Sequence, residues 1–260
     1  MEHFSIIELT IFSAIFGLLI GSFISMLTWR LPRLMDLEPE EQLKQVSVSR
    51  SACPNCKKEL TWKQLFPLFS WLFSKGKCQN CKIKISARYP IIEFITMSLT
   101  IYVYTVFGLT MSGLLAIIFT YLIITLSVID IEHQLILDKL SLPLMWLGLL
   151  ASLGGYFTNP QEAILGAVVG YMLLWIIYYA FKITTGKEGM GFGDFKLLAA
   201  LGAWFGLAAI PQIILIASIA SIIIAIILSI TKLKSINTSL PFGPFLAIAG
   251  MVTLVAGILF

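Results

Sequence analysis

Two aspartates stand at the ends of long apolar stretches in this chain, and acids in that setting can do chemistry. Asp130 closes the uncharged run 94–129. Asp194 opens another within Gly191-Phe192-Gly193-Asp194. A carboxylate at membrane depth is costly and usually functional. Where two such acids meet, like charges cannot both ionise, so one keeps a proton and its partner acts as base. That pair can activate a water against a peptide carbonyl and then protonate the leaving amine, which is aspartyl-protease chemistry. Gly191 and Gly193 remove side chains beside Asp194, letting a substrate backbone approach and the loop bend. Lys196 is expected either to anchor its helix at the membrane surface or to pair with Asp194. The competing reading of Asp194 is a plain helix N-cap; a second carboxylate at matching depth favours catalysis.

Rival acids lie nearby. Glu93 falls just inside an apolar segment, close to Arg88, and is a secondary site candidate that can pair with that arginine. Asp138 and Glu132 read as a solvated link, with Asp138 the next acid in line after the pair. His133 has no suitably placed Ser or Cys with which to form a nucleophile triad.

A second constellation is made of sulfur. Cys53-Pro54-Asn55-Cys56 and Cys78-Gln79-Asn80-Cys81 are two C-x2-C knuckles separated by 21 residues, and they hold every cysteine in the chain. The spacing is close to that of zinc sites. Four thiolates suit a closed tetrahedral Zn²⁺ of structural type. Disulfides are the alternative, disfavoured on a reducing cytoplasmic face. The metal would fold a loop too small and polar to build its own core.

The elements that carry these residues follow from composition. Of 260 residues, 58% are hydrophobic and 12% charged, against about 25% charged in a soluble domain. Residues 9–29, 140–161, 163–181 and 235–260 contain no Asp, Glu, Lys or Arg, and each is near the ~20 residues of one membrane helix. Residues 94–129 and 197–231 are also uncharged but nearly twice as long, and read as helical hairpins. Breaks are expected at Gly108–Gly113 and at Pro211. The expectation is an all-α polytopic membrane protein of about eight transmembrane helices with a cytoplasmic zinc-binding loop over residues 28–88.

Charge then orients the chain. Twelve of its 18 Lys and Arg lie between Arg30 and Arg88; the others are Lys139, Lys182, Lys187, Lys196, Lys232 and Lys234. With eight spans all 18 fall on one side, which should be cytoplasmic. Both termini then lie outside, and Asp130 and Asp194 share a depth at the cytoplasmic edge. The first apolar segment lacks a basic n-region and is expected to be a retained helix rather than a cleaved signal. No aromatic-basic groove pattern accompanies the +4 net charge, so no nucleic-acid partner is expected.

Taken together these residues resemble the type IV prepilin peptidases, also called prepilin leader peptidase/N-methyltransferases. Gly21-Ser22-Phe23 with Arg30-Leu31-Pro32 resembles the family's opening motif, and the two C-x2-C pairs look like its zinc loop. Arg88-Tyr89-Pro90 with Glu93 resembles its R-Y-P-x-x-E block. Ile129-Asp130-Ile131 and Gly191-Phe192-Gly193-Asp194-Phe195-Lys196-Leu197 match the blocks that hold the two catalytic aspartates, and Pro241-Phe242-Gly243-Pro244 resembles the closing P-F-G-P. One departure is Leu137 in Ile136-Leu137-Asp138, where the family usually has I-P-D. The resemblance implies a multi-pass protein of the bacterial inner membrane. It implies cleavage of prepilins or pseudopilins at the cytoplasmic face, after a glycine. It also implies N-methylation of the new terminus with S-adenosylmethionine, as in many members. It divides the chain into 1–95, the first helix with the zinc loop and the start of helix 2 (methyltransferase-associated), and 96–260, the peptidase domain. No Gly-rich strand–helix nucleotide motif appears, so a soluble-type methyltransferase fold is not expected.

Three further readings compete. A presenilin-like or signal-peptide-peptidase-like protease shares Gly-x-Gly-Asp but lacks the zinc loop and flanking blocks. A transporter predicts repeat halves with midplane polar sites, and no internal repeat is visible. A non-enzymatic zinc scaffold is the remaining alternative. For a protease substrate, an apolar helix against helices 3 to 6 with a basic leader in the cytoplasm is the expected pose. Asp36, Glu38, Glu40 and Glu41 are available to attract that leader.

Overall fold

Apolar runs of this length have one economical solution in a bilayer, the α-helix, because it satisfies its own backbone polar groups. The computed structural model describes residues 6–35, 37–47, 50–187, 189–231 and 240–256, and its described elements are helices with no strand among them. Asp36, Lys232 and Lys234 lie outside these residues. Among the described residues ten α-helices follow one another: α1 (Ile6–Arg30), α2 (Pro39–Ser47), α3 (Phe69–Phe73), α4 (Arg88–Phe107), α5 (Met111–His133), α6 (Asp138–Leu153), α7 (Pro160–Thr185), α8 (Phe192–Phe205), α9 (Ile210–Ile230) and α10 (Gly243–Ala256).

Among the described residues, five stretches are long and apolar enough to cross a membrane: Ile7–Leu34, Arg88–Phe107, Met111–His133, Pro160–Thr185 and Leu207–Ile230. The remaining expected spans coincide with α6, α8 and α10, whose described lengths are 16, 14 and 14 residues. At 1.5 Å per residue these reach roughly 21–24 Å, short of a hydrocarbon core of about 30 Å. The multi-pass helical architecture is therefore as expected, with five helices of full spanning length. Helix α6 stops at Leu153 because Gly154 caps it and Gly155 takes φ 72°; Asn159 and Pro160 then start α7, the Asn159 side chain accepting from Glu162 N–H at 3.0 Å.

The chain forms two compact units, Met1–Gly113 and Leu114–Phe260. In the first, α1 crosses α4 on a Gly-x-x-x-Gly surface. A Cβ at Gly17 would stand 2.8 Å from Met97 Cα and from Thr100 Cβ, and one at Gly21 would stand 2.8 Å from Glu93 Cα. Glycine is what allows the two backbones this close. The helix pair is then tied at one end: Arg88 donates to the Ser25 carbonyl at 3.0 Å and to Thr28 Oγ1 at 2.6 Å.

In the second unit α8 is the central helix, and every residue from Phe195 to Trp204 except Lys196 is buried. Small residues let its neighbours close in. Gly166 and Gly170 of α7 pack on the backbone of α8 at Gly202 and Leu198, Gly148 of α6 faces Trp204, and Gly250 of α10 faces Leu201. Phe119 of α5 completes the shell with its ring 4.9 Å from that of Trp204, whose indole N–H donates to the Leu144 carbonyl at 2.7 Å. The second hairpin does not turn at Pro211 as expected. It turns at Gly206, which takes φ 81°, and Pro211 instead sits in the first turn of α9, where its missing N–H costs nothing. Glu162 holds this turn by accepting from Leu207 N–H at 3.2 Å.

Candidate active site and metal centre

Each of the two aspartates is placed by a helix terminus. Asp194 is the third residue of α8, whose N-cap is Gly191, and its side chain accepts from the Gly191 backbone N–H. It therefore reaches back to the cap as an acid at that position does in a capping box, rather than being the N-cap itself. Asp130 lies one turn before the end of α5 and projects onto the start of α10, where its Oδ2 accepts from Gly243 N–H at 3.0 Å. Both carboxylates sit at the positive ends of helix dipoles. Both are buried, 5% and 8% exposed, and among the described residues neither has a basic partner.

The two come together around one side chain. Ile136, in the α5–α6 link, packs on Gly193 beside Asp194 and on Gly243 beside Asp130. A Cβ at Gly193 would stand 2.7 Å from Ile136 Cβ. A Cβ at Gly243 would stand 2.6 Å from Asp130 Oδ2 and 3.1 Å from Ile136 Cδ1. The two carboxyls are thus near enough to feel one another's charge. Gly191 is different: nothing lies within 4 Å of the position its Cβ would take. Of the two motif glycines, Gly193 is thus demanded by packing, while Gly191 leaves open space beside the carboxylates.

Lys196 has neither a free surface role nor a bond to Asp194. Its Nζ lies 2.6 and 2.7 Å from the two carboxylate oxygens of Asp138, the first residue of α6. This partly exposed pair staples α6 to α8. Asp138 is thereby a partner of Lys196 rather than a third member of the acid cluster. Leu137, where the resemblance leads one to expect proline, takes φ −76° and ψ 126°, the conformation a proline would impose. Glu132 and His133 are exposed at the end of α5. Gly243 was missed as a site residue. The signal was present in Pro241-Phe242-Gly243-Pro244, since a glycine where a helix begins with proline next to it points to close backbone approach.

In the first unit Glu93 is buried, and it pairs with backbone rather than with Arg88. Its Oε2 accepts from Leu68 N–H at 2.7 Å, and the Ser22 hydroxyl also donates to it. A carboxylate inside α4 thus holds the loop that carries the cysteines.

The four cysteines converge. Their sulfurs all lie within 4.8 Å of one another, and none forms a disulfide. The two knuckles fold alike. Lys57 N–H donates to the Cys53 carbonyl and Lys82 N–H to the Cys78 carbonyl, both at 2.9 Å, and Lys57 and Lys82 take φ 57° and 60°. Each knuckle closes with an isolated bridge, Ala52 to Glu59 and Lys77 to Lys84. The asparagines are exchanged between them: Asn80 donates to Cys56 Sγ at 3.5 Å, and Asn55 donates to Cys81. The Asn80 amide lowers the Cys56 thiol from its ordinary value, helped by the Lys58 N–H. The Ile83 N–H and then Asn55 do the same to Cys81. A tetrahedral ion with metal–sulfur bonds of ~2.3 Å sets its sulfurs ~3.8 Å apart, and Cys53 and Cys81 are 3.8 Å apart. The donors, their number and their spacing fit a closed four-sulfur metal centre.

A helical membrane protein with paired buried aspartates and a four-thiol module is the class these observations define. Comparison with known proteins then gives the family. The model of the bacterial peptidase A24 N-terminal domain matches residues 15–107, and that of the type IV leader peptidase family matches residues 117–226. The prepilin leader peptidase/N-methyltransferase of Aeromonas hydrophila is 40% identical over 258 residues, covering 94% of this chain and 89% of that relative. The proteins of that name from Pseudomonas aeruginosa and Xanthomonas campestris pv. campestris are each 41% identical, over 93% and 91% of this chain and 88% and 87% of the relatives. No solved structure matches the chain. The chain belongs to the type IV leader peptidase family.

Proposed function

We propose that this protein is a membrane aspartyl endopeptidase that removes the leader of prepilins or pseudopilins, cutting after a glycine, with Asp130 and Asp194 as its catalytic pair. The observation that carries this reading is the meeting of two buried carboxylates at the starts of α8 and α10 without a basic partner among the described residues. One carboxyl of the pair holds the proton they share and the other takes a proton from the attacking water. Gly243 N–H fixes one oxygen of Asp130, leaving the other for this work. Gly191 N–H orients Asp194, and the open space at Gly191 gives the substrate backbone a path to the pair. Lys196 and Asp138 keep α6 and α8 in register around it.

The cut is assigned to the cytoplasmic face, because an eight-span topology would put all 18 Lys and Arg on that side. The location is the bacterial inner membrane, with both termini outside. The metal is assigned as zinc from its four-thiolate donor set, and its role is to fold the module between α1 and α4. Residues 1–95 are assigned to N-methylation with S-adenosylmethionine and residues 96–260 to the peptidase. The methylation half rests on the relatives' printed names. A presenilin-like protease without this module gains no support from the relatives.

The test is cleavage of a prepilin in membranes by wild type, Asp130→Asn and Asp194→Asn. Asn keeps the shape and removes the acid. Each variant should lose roughly 10²–10⁴-fold in rate while remaining folded. Near-normal cleavage by either would make that aspartate structural and leave Asp138 as the next acid to substitute.

A further inference from the structure

The module between α1 and α4 exposes an aromatic face that the catalytic reading leaves unused. Trp62, Phe66, Phe69, Leu72 and Phe73 are all exposed, Trp62 by 74% and Phe73 by 81%, and all but Leu72 border one open groove together with Lys63. Residues 57–84 hold seven lysines and one acid, Glu59, which is already paired with Arg50 at 2.9 Å. Apolar area of this extent on a basic module marks a docking surface rather than scattered surface residues.

The depth of this face can be worked from the hydrogen bond at its edge. Helix α4 has 20 residues. At 1.5 Å per residue that is about 30 Å, so crossing the hydrocarbon core takes the whole helix and puts Arg88 at the boundary. Glu93 lies five residues further in, about 7.5 Å along the axis, and its side chain leans back toward the helix start. Leu68 N–H is bound to that carboxylate at 2.7 Å. The residue that opens α3 therefore lies some 4–8 Å inside the level where α4 begins, which is the depth at which interfacial helices rest. Phe66 precedes it by two residues and Phe69 follows it directly. Trp29 near the end of α1 and Ile91 and Phe94 near the start of α4 are exposed apolar side chains as well.

We propose that this face docks on the protein's own bilayer. The side chains of Phe66, Phe69, Leu72 and Phe73 enter the interface of the leaflet on the basic side, and the surrounding lysines bind its anionic headgroups. The occupant is lipid because the face is held at membrane depth by a bond within the module's own unit, and because its charge is complementary to anionic lipid. Docking makes the metal module a fixed part of the membrane surface rather than a tethered, tumbling loop.

The test uses the full chain in nanodiscs of mixed zwitterionic and anionic phospholipid, without substrate, so its outcome does not depend on the peptidase reading. A photoreactive p-benzoylphenylalanine replaces Phe73, and in a second protein Phe66, so that a folding defect at one position does not end the test. The same residue in place of Phe12 on α1 gives the yield expected of a lipid-facing site. Lipid adducts at position 73 or 66 within about threefold of the Phe12 yield are expected of an inserted face. Absence of lipid adducts at both, with adducts at position 12 in a parallel preparation, overturns the proposal. In a separate preparation with prepilin added, cross-linking to the prepilin in place of lipid also overturns it and makes the face a protein-docking site.

Discussion

Replacing Gly243 by alanine puts one methyl group between the start of α10 and Asp130. Its Cβ would stand 2.6 Å from Asp130 Oδ2 and 3.2 Å from Asp130 Cγ. Ordinary contact needs about 3.4 Å or more, so the carboxylate must retreat by roughly 0.8–1 Å, and Ile136 Cδ1 at 3.1 Å crowds the same methyl group. A shift of that size also stretches the 3.0 Å bond from Gly243 N–H beyond useful length. Misplacing a reacting group by about 1 Å costs on the order of 10²-fold, equivalent to about 2.7 kcal/mol of barrier. The overpacking itself should destabilise the fold by about 1–3 kcal/mol. The assay is kcat/KM for a prepilin in nanodiscs, with thermal unfolding measured alongside. Gly191→Ala is the matched comparison: its Cβ meets nothing within 4 Å, so its melting temperature should equal the wild type's. A loss of activity there without loss of stability would assign that space to the substrate. If Gly243→Ala cleaves within about threefold of wild type, the methyl group has been absorbed without moving Asp130, and the geometric account of this site is wrong.

Three other outcomes are expected. Asn80→Ala and Asn55→Ala should weaken metal binding to similar extents, about 10–100-fold in a chelator competition, because each asparagine serves the other knuckle's last cysteine. Asn80 holds the Cys56 thiol low, so its loss raises that thiol and moves metal release during an acid titration to higher pH; release at unchanged pH would count against the exchanged-asparagine account. A double-mutant cycle on Asp138→Asn and Lys196→Met should return a coupling of no more than about 1 kcal/mol, because the pair is partly exposed and screened. A markedly larger coupling would mean that the pair acts on the buried acids. Leu137→Pro should fold and cleave with less than about 1 kcal/mol of change in stability, since φ is already −76°. Loss of folding would show that the Leu137 side chain or its N–H, not its backbone angle, holds the link.

Much of this site was legible in linear form. Asp130 and Asp194 were singled out because charges are rare in apolar runs, and rarity is visible without coordinates. The paired knuckles were equally plain, because metal ligation is local within each C-x2-C. The Gly-x-x-x-Gly patterns at Gly17 and Gly21 and at Gly166 and Gly170 were also written there, and went unread as packing surfaces. What failed was the assignment of partners. Lys196 is two residues from Asp194, yet on a helix neighbours at that spacing point apart, and its bond runs to Asp138 across to α6. Arg88 and Glu93 look like a pair in sequence, but each found backbone or hydroxyl partners on α1 or the loop. Pro211 looked like a break because proline ends helices; here it begins one, and the turn belongs to Gly206.

Sequence alone determined what is set by solvent and by local chemistry: apolar helices, because a bilayer permits little else, a four-thiol centre, because its ligands come in adjacent pairs, and the two acids. Tertiary structure alone decided which helix ends those acids face. Asp130 is completed by Gly243, 113 residues away along the chain. No local pattern encodes that bond, since it exists only because glycines let α7, α6 and α10 pack closely around α8 and so bring the start of α10 to the end of α5.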